Sequence, residues 1–126
     1  MPVPDSHQFK NQAADRMHPS DVIKNKNALQ GQEIELHGWL CSGNETFVQE
    51  SESASDMKIW LPHPLVVEAM LDVVPVLVGG PWLYFGGCTV TGTLTDVGGR
   101  PVMQPAAIVY SISDDERYAV SFPRAT

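Results

Sequence analysis

Two tryptophans, Trp39 and Trp60, stand in short segments whose side chains alternate between apolar and polar. Such period-two alternation marks a strand with one buried face. In the segment 33–41, Ile34, Leu36, Gly38 and Leu40 share one face, and Glu33, Glu35, His37, Trp39 and Cys41 share the other. In 57–61, Met57, Ile59 and Leu61 point inward, and Lys58 and Trp60 point outward. An outward indole is a platform on which bases or sugars stack, at about 1–3 kcal/mol per base. It is equally an anchor for a protein interface, where Trp is enriched among the residues that carry binding energy. The alternative is that the terminal segments cover both rings and use them as plain apolar surface. Lys58 and Arg100 place sparse positive charge near the same face.

Other chemistry-bearing residues form no motif. His37, His63, Cys41 and Cys88 are metal-ligand types, but their spacing matches no zinc pattern, so no metal and no cofactor is expected. Cys41 and Cys88 fall on opposite phases of their strands, which disfavours a disulfide and leaves them as small apolar fillers. Glu33 and Glu35 are an outward pair on a strand. No nucleophile elbow, glycine-rich phosphate loop or His-Glu-x-x-His is present, so a catalytic function is not expected. Glu45, Glu50, Glu52 and Asp56 mark an acidic loop region, read either as solvated surface or as a lure for a basic partner.

Charge is unevenly spread over the 126 residues, whose formal total is −7. Residues 1–32 carry four basic against three acidic side chains, a net of +1. Residues 33–112 carry nine acids against Lys58 and Arg100 alone, a net of −7, and residues 113–126 add −1. Binding to a nucleic-acid backbone rests on Lys and Arg neutralising roughly 6–10 phosphates. Two cations across eighty residues disfavour that class and favour a basic protein partner steered by long-range attraction.

The N-terminus lacks the apolar segment of a secretory leader, and the most apolar stretch, 65–78, is broken by Glu68, Asp72 and Pro75. A cytoplasmic location and no membrane partner are expected. A length of 126 residues fits one domain. Residues 1–19 read as a mobile arm, 20–112 as the folded domain and 113–126 as a polar tail in which Tyr118, Val120 and Phe122 could dock back.

Within the domain, Ser20 or Asp21 is the expected cap of a short helix that Gly31 ends. Strands are expected at 33–41, 46–50, 57–61, 88–95 and 101–112, the last bent near Pro105. Between the third and fourth strands, Pro64 opens a helix with Leu65, Val66, Ala69, Met70 and Val73 on its apolar stripe, and Pro75 closes it. The segment 76–86 reads as a further helical turn or a packed loop. Asp96–Arg100, with Gly98 and Gly99, is a hairpin turn.

The order is β-β-β-α-β-β, and the two long strands, "IELHGWL" and "TVTGTLT", each carry a central glycine. Together with the entry "ALQGQEIELHGWL", this resembles the oligonucleotide/oligosaccharide-binding (OB) fold over residues 20–112. The resemblance implies an all-β, five-stranded Greek-key barrel with minor helix, in which strands one and four pair and bend and the helix plugs the base. It also implies a binding face on strands two and three and the loops beside them. Here that face is Trp39, Phe47, Gln49, Lys58, Trp60 and Arg100, flanked by 42–45 and 98–100. The expected function is a non-catalytic module acting by protein–protein interaction, of an immunity or inhibitor type, with single-stranded nucleic-acid binding as the alternative. A second copy of the chain stays open as a partner.

Overall fold

A computed structural model describes residues 16–53, 56–76 and 80–122. Five strands close a ring. β2 (Glu33–Ser42) pairs antiparallel with β3 (Thr46–Gln49), and β3 pairs antiparallel with β4 (Lys58–Trp60). β4 meets β6 (Arg100–Ser113) in parallel at Trp60–Val102, and β6 runs antiparallel to β5 (Tyr84–Val97). β5 returns to β2, from Glu33–Thr93 to Ser42–Tyr84. Strand order, the parallel β4–β6 contact and the helix between β4 and β5 are those expected of an OB-like barrel.

Two glycines let the long strands curve. A Cβ at Gly38 would lie 2.6 Å from the Gln49 carbonyl oxygen and from Val48 Cγ1. At Gly92 it would fall inside the Gln104 carbonyl oxygen and 2.9 Å from Pro105 Cα, where the β5–β6 register shifts. Any larger residue would hold these backbones apart, which is why glycine marks the bends.

The core within the ring is built from Leu36, Leu40, Val48, Ile59, Val90, Leu94, Met103, Ile108 and the rings of Tyr84 and Tyr110. α3 (Leu65–Leu71) adds Val66 and Met70, followed by Val74. Its apolar stripe is therefore rotated from the expected one: Val67 is buried, whereas Leu65 and Val73 are exposed. Tyr84 Oη donates to the Val74 carbonyl at 2.8 Å, tying the residues after α3 to β5.

Several local expectations are corrected. The cap of α1 (Pro19–Lys24) is His18, not Ser20 or Asp21. Pro19 takes the first helical position, so Asp21 falls three residues in, and its carboxylate accepts from the His18 N–H at 3.1 Å. Asn25 breaks the helix, and a second turn, α2 (Lys26–Leu29), precedes Gly31 at φ +76°. Met57 is exposed and lies outside β4. β5 begins at Tyr84 rather than 88, because the inward phase of Cys88 continues back through Gly86 to Tyr84. Hence 84–86 is strand, not loop; residues 77–79 lie outside the described residues.

Both flanks of the barrel carry structure. Of the expected arm over 1–19, residues 1–15 lie outside the described residues, and β1 (Arg16–Met17) pairs in parallel with β2 at Glu35 and Leu36. In the expected polar tail, β7 (Glu116–Ser121) pairs with β6 and buries Val120, with Phe122 just beyond it. Residues 123–126 lie outside the described residues. Among the described residues, no helix is long and apolar enough to cross a membrane.

Candidate binding site

The outer face of the ring carries a chain of aromatic rings in contact. Trp39 meets Phe85 edge-on at 5.3 Å between centroids, and Phe85 stacks on Trp82 at 6.0 Å. Trp82 meets Phe47 at 5.8 Å, and Phe47 meets Trp60 at 5.1 Å, both edge-on. The strand pairing places these side chains. Phe85 pairs with Cys41, Cys41 with Phe47, and Phe47 with Trp60, so one register line crosses four strands on one face. Trp82, just before β5, lies across Phe47 and Phe85. Edge-to-face rings gain about 0.5–1.5 kcal/mol per pair beyond their area, so the strip holds its own shape.

Both cations of the barrel sit on this strip. Lys58 Nζ lies 4.5 Å from the Phe47 ring centre and 5.9 Å from that of Trp60. Arg100 Cζ lies 4.1 Å above the Trp60 ring. Arg100 begins β6, directly after Gly98 (φ +62°) and Gly99 (φ +84°). Lys26 reaches the same turn, donating to the Gly99 carbonyl at 3.3 Å with Asp96 4.0 Å away.

At the Trp60 end the strip opens into a pocket of about 560 Å³. Its polar wall is Glu45, Thr46, His63, Arg100 and Gln104; Trp60, Leu61, Pro62, Val97 and Val102 supply apolar surface. The turns 43–45 and 97–100 flank it, as the OB resemblance implies. Behind the wall runs a line of hydroxyls: Ser42 Oγ bonds Thr46 Oγ1 at 3.0 Å, and Thr46 Oγ1 bonds His63 Nδ1 at 2.8 Å. Ser42 and Thr46 are buried and His63 is exposed, so the buried pair orients the imidazole.

The residues named from sequence are thus distributed unevenly. Phe47, Lys58, Trp60 and Arg100 come together. Trp39 stands at the far end of the strip, half-buried; its Nε1 is buried and has no hydrogen-bond partner among the described residues. Gln49 shares the face by register but is buried and committed: its Nε2 donates to the Ser51 and Ser53 carbonyls at 2.9 and 3.2 Å and holds the following loop. Glu50 is not loop surface either. Its carboxylate accepts from Ser20 N at 3.0 Å and Ser20 Oγ at 3.2 Å, neutralising the start of α1. Glu52 and Asp56 are exposed, and Glu45 lines the pocket.

Sequence reasoning missed Trp82, Phe85 and the Ser42–Thr46–His63 line. Extending the alternation of β5 back from Cys88 would have found Phe85; Trp82 and the hydroxyl line depend on long-range packing. His37, considered as a ligand, instead holds Glu35, with Nε2 2.6 Å from Oε2. Among the described residues, no group of three or more His, Cys, Asp or Glu side chains is placed to hold a metal ion. Both cysteines are free and buried. Cys41, outward by phase, is covered because Phe47 and Phe85 flank it. Burial pushes its thiol up to about 11, opposed by nearby Lys58. Burial also raises Cys88 far above the ordinary thiol range. Neither is a ready nucleophile.

No family model, curated protein or solved structure matches the chain.

Proposed function

We propose that this chain is a non-catalytic binding module that docks a basic protein partner on its aromatic strip, in the manner of a cytoplasmic bacterial immunity or inhibitor-type protein. The observation that carries the reading is the strip itself: five rings from Trp39 to Trp60 in unbroken contact on the outside of an acidic barrel. Large, rigid aromatic surface is the kind that carries interface energy. The exposed acids Glu52 and Asp56, between β3 and β4, supply the attraction that speeds encounter with a basic protein. The test is affinity capture with the intact protein as bait, repeated with Trp82→Ala. A basic partner that is retained by the wild type, released at high salt and lost from the variant is the expected outcome. Recovery of chaperones alone, equally on both baits, counts against the reading.

A second reading has its own observation. Lys58 and Arg100 are the barrel's cations, and both lie on the rings of Phe47 and Trp60, where stacked bases of a single strand would be met by positive charge. Saturable quenching of tryptophan fluorescence by mixed single-stranded oligonucleotides, weakening with salt, would favour it over protein docking.

A further inference from the structure

We propose that the pocket beside Trp60 is a binding site for a small planar anion: an aromatic or heteroaromatic ring with one carboxylate or phosphate group. The ring would lie against Trp60, and the anionic group would be held by Arg100 and His63. This goes beyond partner docking, adding the pocket and His63 to the Arg100–Trp60 contact.

Size comes first. At about 560 Å³ the pocket falls within the range of small-molecule sites, roughly 300–1,000 Å³. Charge comes second. Acids outnumber bases nine to two over residues 33–112, yet Arg100 has no carboxylate partner among the described residues. It rests on the Trp60 ring, exposed, after a turn of two positive-φ glycines. A guanidinium held over an indole with its N–H groups uncommitted is arranged to receive an anion, and its plane suits a flat ligand.

His63 supplies the second contact. Its Nδ1 is bonded to Thr46, which is itself bonded to Ser42, so Nε2 is left on the far side of the ring. In the tautomer in which Thr46 donates to Nδ1, Nε2–H is the donor that an anion would meet. Glu45 limits the total charge. Its carboxylate on the same wall disfavours a polyanion and suits a ring whose edge bears an amino or N–H donor. A long nucleic-acid strand needs about 6–10 phosphate contacts; this site offers a small anion two.

The experiment is a titration of the isotope-labelled full chain followed by the NMR signals of the Trp60 indole N–H and the Arg100 Nε–H. The probes are anthranilate and adenosine monophosphate, which separate carboxylate from phosphate, with aniline, adenosine and inorganic phosphate as controls. Saturable shifts at both groups with either planar anion, weaker with every control, are expected. Arg100 is exposed at the start of β6, so Arg100→Ala should keep the fold, checked by circular dichroism; it should weaken the binding at least about tenfold, the loss of one charge-assisted contact. Trp60→Phe should keep part of the affinity and Trp60→Ala little. The proposal is overturned if neither planar anion moves these signals at millimolar concentration. It is also overturned if neutral rings bind equally, if Arg100→Ala binds as well as wild type, or if only an oligonucleotide shifts Trp60.

Discussion

Replacing Gly92 with alanine adds one methyl group, and its cost can be worked from the geometry. The new Cβ would meet the Gln104 carbonyl and lie 2.9 Å from Pro105 Cα, both main chain of the neighbouring strand. A side chain in the way could rotate aside; these atoms cannot. Inserting a methylene into a packed interior costs about 1–3 kcal/mol, and an obstacle made of backbone puts Gly92→Ala at the upper end, about 3 kcal/mol. Domain stabilities run about 5–15 kcal/mol, so this is a large share. Each kcal/mol moves the melting point of a domain this size by roughly 3–5 °C, giving a fall of about 10–15 °C. Gly87→Ala on the same strand is the internal control. Nothing lies within 4 Å of its added Cβ, and the alanine should be neutral or gain up to about 1 kcal/mol by restricting the unfolded chain. Thermal and urea unfolding followed by circular dichroism measure both. If Gly92→Ala unfolds within about 1 kcal/mol of wild type, the claim that glycine is required for the bend is wrong. If Gly87→Ala loses more than Gly92→Ala, close approach is not what distinguishes the two positions.

Other outcomes follow from single contacts. Tyr84→Phe strips the buried Val74 carbonyl of its donor and should cost about 1–3 kcal/mol in urea unfolding; no loss would mean that α3 is held by packing alone. Glu50→Ala removes both acceptors from the start of α1, and a loss of about 1 kcal/mol is expected, seen also as faster amide exchange at Ser20; unchanged exchange there would contradict the contact. Cys41 and Cys88 should resist a thiol reagent in the folded protein at neutral pH and react on unfolding, whereas labelling of the native state at the unfolded rate would refute their burial. Because the folded Cys41 pKa is raised from 9.0 to about 11, its contribution to stability is full below pH 9.0 and is lost as pH rises toward about 11. A urea midpoint flat through that window would contradict the assignment.

Much of the fold was legible because its causes are local. Alternation over 33–41 and 88–95 reports a sheet with one wet face, and a glycine at the centre of each strand reports a bend. Charge was legible too, since nine acids against two bases need no coordinates to count. The strip and pocket were legible only in part. Lys58 and Trp60 could be placed on one face by phase, and Phe47 and Arg100 beside them through the OB resemblance, but contact between Arg100 and Trp60 depends on β4 and β6 meeting in parallel across forty residues of chain. Separation along the chain likewise hid Trp82 over Phe47, and His63 against Thr46. Gln49 and Glu50 were claimed elsewhere: the OB resemblance suggested a binding face for the one and residue type an acidic loop for the other, while the Ser51 and Ser53 carbonyls hold Gln49 and Ser20, thirty residues away, holds Glu50. Periodicity is a property of neighbours in sequence and survives without the fold, whereas a site joins residues far apart in the chain and exists only once the strands have closed.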